Sequence, residues 1–257
     1  MDKYTYKEKN MVPYQRRSQI LQLLEKQDVV NITDMSEALP GVSESTIRRD
    51  LKSLESEGEV ILLRGGGVSL KRGSSLEVSV HSKVIKNVNE KERIARYAAS
   101  LVNDGDSVYI DSGSTMLRMA KHLKGKDIII VTTNALLFSE IQEMNLKCFI
   151  VGGEINFSTG SILGTKTNSM LSEMYFDKAF LGANGFSDKA GISTPDIREA
   201  EKKQIVYHHS NETYILCDSS KSGKNSLCKV FELGEVPIIC DCMTDMLELS
   251  GNYIIAE

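Results

Sequence analysis

The chain has 257 residues, with 41% hydrophobic and 26% charged residues and a formal net charge of −4. That length allows one large domain or two smaller ones, and the composition is ordinary for a soluble globular protein, with nothing that suggests disorder. A global charge of −4 does not exclude nucleic acid, because residues 1–72 hold 12 Lys/Arg against 11 Asp/Glu, leaving +1, while the rest hold 19 against 24, leaving −5; groove recognition needs only a local basic face.

In chain order, the polar N-terminus (residues 1–13) has no apolar signal core, and no apolar run approaches the ~20 residues that span a bilayer. A cytoplasmic chain is expected. Residues 14–70 read as a first domain. "RRSQILQLLEKQ" spaces Ile20, Leu23 and Leu24 as a helix. "VVNI" is a short β-branched run, and "ITDMSEAL" puts Ile32, Met35 and Leu39 on one side of a second helix. "PGVS" breaks that helix with Gly41 suited to a tight turn, and Ser43 is a good N-cap for a third helix, with Glu44 in its first turn. Gly58 stops it, and "EVILLRGGGVSL" forms a hairpin. Helix, short strand, helix, helix and hairpin is the order of a winged helix-turn-helix.

At 100° per residue, Ile47, Leu51 and Leu54 of the third helix form one stripe. Ser45, Arg49, Lys52 and Ser56 fall opposite, with Arg48 on the flank. Such a face fits the DNA major groove, where arginine bonds guanine O6 and N7 in pairs. A solvated face is the plainer alternative for an arginine pair alone. The candidate DNA contacts are Ser43, Ser45, Thr46, Arg48, Arg49 and Lys52, together with Arg64, Gly65 and Gly66 at the wing. Asp50 sits at the apolar edge and is expected to pair with a local arginine.

Residues 71–90 are polar and mixed and read as a linker that becomes ordered toward the second block. From 91 to 257, helical and strand patterns alternate, which predicts a doubly wound, mostly parallel sheet. Ligands bind such sheets at the carboxyl ends of strands. "DSGST" follows the first strand there, and Asp111, Ser112, Gly113, Ser114 and Thr115 offer a tight turn, hydroxyls and a helix start, an arrangement that suits phosphate. A simple helix cap remains open for the same residues. Later strand ends carry Asn134, Gly152 and Gly153, Gly185, and Lys221 after Asp218. Glu199 and Lys202 either line this edge or form an exposed helix face. Small, amide, hydroxyl and cationic groups on one edge suit a phosphorylated sugar.

No "GxxxxGKS" or "GxGxxG" is present where ATP or NAD would need it, and no HExxH or "GxSxG" occurs. The five cysteines have irregular spacing with no zinc-like partner set, so reduced, buried thiols are expected, with no cofactor and no metal.

"VSESTIRRDLKSLESEG" followed by "RGGG", then "DSGST", "TTN", "VGGEINFSTGSILG", "FDKAFLGANGFSDKAGIST" and "DSSKSGK" resemble, in order and spacing, the DeoR (DeoR/GlpR) family of bacterial transcriptional regulators. The resemblance runs from about Tyr14 to Leu249. It implies an N-terminal winged helix-turn-helix that binds operator DNA. It also implies a C-terminal sensor similar to the ribose-5-phosphate isomerase fold, repression of a sugar-catabolism operon, induction by a phosphorylated sugar, and a homo-oligomer, dimer or tetramer. Arg64 stands where the family often has histidine, and Met116 where it often has threonine. The competing reading is an aldose–ketose phosphate isomerase-like enzyme with an attached DNA-binding module, using Asp111, Glu199, Asp218 and Lys221 as acid–base groups.

Overall fold

The computed structural model describes residues 13–27, 29–63, 65–70, 80–142, 144 and 146–257. Two compact units divide the chain, and the chain passes from the first to the second between Lys86 and Asn87.

The first unit contains α1 (Pro13–Lys26), β1 (Val30–Asn31), α2 (Ile32–Ala38), α3 (Glu44–Ser56), β2 (Val60–Leu62), β3 (Gly67–Leu70) and α4 (Val80–Ile85). Ile20, Leu21 and Leu24 of α1, Met35 of α2, and Ile47, Leu51 and Leu54 of α3 bury in one core, as their helical spacing requires. Ser43 caps α3 by accepting from the Thr46 N–H at 3.3 Å. The three strands form an antiparallel sheet in the order β1-β3-β2. α2, the turn, α3 and this wing make a winged helix-turn-helix. The second half of the polar segment is helical: α4 packs on α1, with Val80 buried.

The second unit runs α5 (Val88–Ser100), β4 (Ser107–Ile110), α6 (Ser114–Lys121), β5 (Ile129–Thr132), α7 (Leu137–Ile141), β6 (Lys147–Ile150), β7 (Glu154–Asn156), β8 (Ser161–Leu163), α8 (Thr165–Leu171) and β9 (Phe176–Gly182). It continues with β10 (Gly185–Ser187), β11 (Gly191–Thr194), α9 (Ile197–His208), β12 (Ser210–Leu216), a 3-10 turn at Ser219–Lys221, β13 (Cys228–Phe231), β14 (Ile238–Cys240), α10 (Asp245–Ser250) and β15 (Tyr253–Ile255).

Seven strands form one sheet in the order β15-β14-β12-β9-β4-β5-β6, and every neighbouring pair is parallel. Both faces of such a sheet need covering. Tyr109, Val131, Ala179, Leu181, Ile215 and Cys217 join a core with Leu171 of α8 and Ala200 and Val206 of α9. Alternate positions such as Val108, Ile110, Ile130 and Phe180 are also buried, as period two demands, and α5 and α6 pack on each other over the sheet.

From β4 the chain steps outward through β5 to β6, then returns to the other side of β4 as β9. The order reverses between β4 and β9, and that topological switch point is where a doubly wound sheet opens a crevice at its carboxyl edge. Two additions interrupt the alternation expected from sequence. β7 and β8 form a hairpin, and β10, β11 and β13 form a small antiparallel sheet. The hairpin turns through Gly160 at φ 69°, against Leu136.

Candidate DNA-reading helix and switch-point site

On α3 the apolar stripe faces the core and the polar face points outward. Ser43, Ser45, Arg48, Arg49 and Lys52 are exposed, and Thr46 is half-buried. The hydroxyl of Ser43 is within 2.9 Å of Ser45 Oγ and 2.8 Å of Thr46 Oγ1, so it is engaged in the cap. Arg48 reaches back one turn to Glu44 at 3.5 Å, with both side chains more than half exposed. Arg49 and Lys52 form no hydrogen bond or ion pair with any described residue. Asp50 is buried and accepts from Arg16 of α1 at 2.7 Å, and Arg17 lies at 3.5 Å; this pair fixes α3 against α1.

At the wing, Arg64 lies outside the described residues. Gly65 and Gly66 have φ of 96° and 88° and are exposed, so backbone conformation alone requires glycine at both. The same absence of side chains leaves the turn bare toward a partner.

In the second unit, Asp111 leaves β4 at the switch point. Its Oδ2 accepts from the Gly182 N–H at the end of β9, 3.1 Å away, bridging the two strands that meet at the switch point. α9 brings Glu199, Lys202 and Lys203 to the same carboxylate. Lys203 Nζ stands 2.5 Å from Asp111 Oδ2 and 3.3 Å from Glu199 Oε2. Lys202 Nζ lies 3.0 Å from Glu199, 3.4 Å from Asp111 Oδ1 and 2.7 Å from Ser161 Oγ. Ser112 Oγ donates to Ser161 Oγ at 2.9 Å. The cluster contains two carboxylates and two ammoniums, all buried. A burial of this kind is tolerated only when each charge is paired and bonded.

Burial alone would raise the Glu199 carboxyl, but the Lys202 and Lys203 ammoniums and bonds from Ser161 and Lys202 outweigh it and hold it well below the usual carboxylate range. Burial would lower both lysines; Glu199 and Asp111 outweigh that for Lys202, Asp111 and Glu199 for Lys203, and both end above the usual value.

The other sequence candidates stand after strand ends or at helix starts of the second unit. Ser114 and Thr115, at the start of α6, are buried, and Gly113 before them has φ 135° with open space where a Cβ would stand. The first N–H groups of α6 have no partner within their own helix. Asn134 is fully buried and bridges to Ser161. Its Oδ1 accepts from the Leu136 N–H at 3.1 Å, while its Nδ2 has no partner among the described residues.

The glycines separate. Gly152 is exposed, and a Cβ added there would meet nothing within 4 Å; at Gly153 the added Cβ would stand 2.0 Å from Thr167 Oγ1, and at Gly185 2.2 Å from the Lys224 carbonyl. Gly153 and Gly185 are therefore required by the chain's own packing. Lys221, half-buried, sits in the 3-10 turn that Asp218 caps by accepting from the Ser220 N–H at 3.2 Å.

Sequence reasoning missed Ser161 and Lys203. Lys203 had a signal: Glu199, Lys202 and Lys203 are spaced i, i+3 and i+4 on one helix face. Ser161 had none, because it reaches the cluster only through the hairpin. Among the described residues no group of three His, Cys, Asp or Glu side chains is placed to hold a metal. No described helix is long and apolar enough to cross a membrane.

Residues 16–72 match the DeoR-like helix-turn-helix domain and residues 86–242 the DeoR C terminal sensor domain. An uncharacterized HTH-type transcriptional regulator of Bacillus subtilis (strain 168), FruR, is 37% identical over 245 residues, covering 95% of this chain and 96% of its own. The lactose phosphotransferase system repressor of Staphylococcus epidermidis is 34% identical over 232 residues, covering 88% and 92%. Among solved structures, ribose 5-phosphate isomerase A from Methanocaldococcus jannaschii is similar over 58% of each chain, with a TM-score of 0.41 and 20% identity. The fold assignment rests on the parallel sheet and its switch point; the family rests on the two domain matches, and with them this chain belongs to the DeoR family of transcriptional regulators.

Proposed function

We propose that the protein is a repressor of a sugar-catabolism operon, bound to operator DNA through α3 and the wing and released when a phosphorylated sugar occupies the β4–β9 switch point. The observation that carries the DNA half is the outward face of α3, where Arg49 and Lys52 are exposed and have no partner among the described residues, while the opposite stripe is buried. In this reading residues 14–70 bind DNA and residues 91–257 bind the effector. The protein acts in the cytoplasm as a homo-oligomer whose paired recognition helices meet two half-sites.

The effector half draws support from the composition of the edge. Asn134 Nδ2 is a buried donor without a partner among the described residues, Gly113 and Gly152 leave room for close approach, and Ser112, Ser114, Thr115 and the start of α6 offer hydroxyls and N–H groups. Lys221 adds a cation. Asp111, Glu199, Lys202 and Lys203 form the charge-balanced floor beneath.

The isomerase-like alternative needs a group that gives and takes a proton near neutral pH. Of the groups that reading names, Glu199 is held well below the usual carboxylate range by the Lys202 and Lys203 ammoniums despite its burial, which makes it a weaker base. That favours binding over turnover.

The test uses the full chain. Duplex DNA is selected from a random pool, and its release is followed by fluorescence anisotropy while hexose and pentose phosphates, inorganic phosphate and the parent sugars are added one at a time. Release by one sugar phosphate and not by its parent sugar is expected; a coupling of ~1–3 kcal/mol corresponds to roughly 5- to 150-fold in DNA affinity. Duplex binding that no phosphorylated sugar alters rejects the effector half.

A further inference from the structure

Asn87 is the one described non-glycine residue with positive φ, at φ 51° and ψ 47°. It is also the first residue after the chain leaves the DNA-binding unit. Asparagine tolerates this left-handed conformation better than most residues, yet something must hold it there. Asn87 stands at the N-cap of α5, but its side chain does not cap that helix. Instead Nδ2 donates to Asp218 Oδ1 at 2.8 Å and to Ser220 Oγ at 2.9 Å, partners more than 130 residues away in sequence.

Those partners belong to the carboxyl edge. Asp218 Oδ1 caps the turn Ser219–Lys221, accepting from the Ser220 N–H at 3.2 Å and from the Ser220 hydroxyl. Ser219, which opens that turn, donates its N–H and hydroxyl to Asp241, at 2.7 and 3.0 Å, and Arg93 of α5 lies 3.9 Å from the same carboxylate. The N-cap of α5 is therefore bonded to the turn that carries Lys221, and Arg93 of α5 lies near the Asp241 carboxylate that also holds Ser219. α5 also packs along α6, which begins with Ser114 and Thr115. The carboxylate that holds the Asn87 amide is therefore the one that caps the turn carrying Lys221.

We propose that Asn87 is a positioning residue through which the state of the Asp218–Lys221 turn reaches the DNA-binding unit. This rests on the reading of the protein as a ligand-responsive DNA binder. With the turn in place the amide is held and the backbone stays left-handed. With the turn displaced the amide is released and φ relaxes to the ordinary negative range, redirecting the segment that joins the units.

The test needs no identified effector. Duplex DNA selected from a random pool by the full-length wild type serves as the probe, and its dissociation constant is measured for Asn87→Ala, Asp218→Ala, the double variant, Asn87→Gly and Asp218→Asn. Each alanine variant is expected to change the constant at least fivefold, in the same direction, and the double variant no further than either alone. Asn87→Gly, which keeps left-handed freedom but loses the amide, follows the alanine variant. Asp218→Asn, which keeps an acceptor, stays within twofold of wild type. A purely structural role would lower thermal stability and leave these affinities in place. Unchanged affinity in either alanine variant, or effects that multiply in the double, overturns the proposal. A wild type that selects no duplex removes the DNA-binding reading, and this proposal with it.

Discussion

Lys203 illustrates how much a single side chain holds at the switch point. It pairs with Asp111 and Glu199, and all three are buried. Removing one member of a buried charge set leaves the others uncompensated, so Lys203→Met is expected to cost about 3–5 kcal/mol, measured by urea unfolding. The pH dependence follows from the same cluster. The Glu199 pKa is depressed on folding, so its contribution is present above the ordinary carboxylate value of 4.5 and is lost as pH falls through the lower folded value. The lysine values are raised on folding, so their contribution is complete below the ordinary value of 10.5 and is lost as pH rises through the higher folded values. Thermal melts across pH should show a plateau between these limits, and Lys203→Met should remove part of the decline on the alkaline side. On α3, Arg49→Ala should weaken DNA binding by about 1–3 kcal/mol and relax base preference at one position, checked by anisotropy against operator variants. Sensor stability should be unchanged. Equal binding by that variant would sink the assignment of the reading face.

Elements explain why neighbouring glycines have different jobs. Gly153 lies where α8 packs against the loop after β6, and an added Cβ would meet Thr167 Oγ1 at 2.0 Å and the Leu163 carbonyl at 2.7 Å. Gly153→Ala is expected to destabilise the sensor by about 1–3 kcal/mol, the usual cost of overpacking. Gly152, one residue earlier, has open space and no positive φ, so Gly152→Ala should leave the melting temperature within a degree or two of wild type. If the effector approaches this edge, Gly152→Ala weakens ligand binding without weakening the fold, and the two substitutions separate packing from recognition. The sequence showed two adjacent glycines at a strand end and nothing to tell them apart. The difference arises from Thr167, fourteen residues further along, and only the packing of α8 brings it near.

For the whole molecule, two units with separate cores predict two unfolding transitions in calorimetry of the full chain. An effector at 100 times its dissociation constant adds ~2.7 kcal/mol to the unit that binds it. Sugar phosphate should therefore raise the transition of the larger unit, and duplex DNA that of the smaller one. A single transition raised equally by both ligands would show that the units unfold together.

Local pattern carried the sequence a long way here. The stripe of Ile47, Leu51 and Leu54 forces Arg49 and Lys52 outward, because a helix in water must bury its apolar face. Alternating strand and helix patterns dictated the parallel sheet, since parallel strands need crossover connections. These features depend on residues a few positions apart. Strand order does not: that β9 returns beside β4, making the switch point, is a choice among topologies that periodicity cannot rank. The salt-linked floor of Asp111, Glu199, Lys202, Lys203 and Ser161 depends on that choice, because its members span some ninety residues and meet only when α9 crosses the end of β4. Asn87 is the extreme case. Its side-chain amide donates to Asp218, and no local rule foretells a contact across 131 residues.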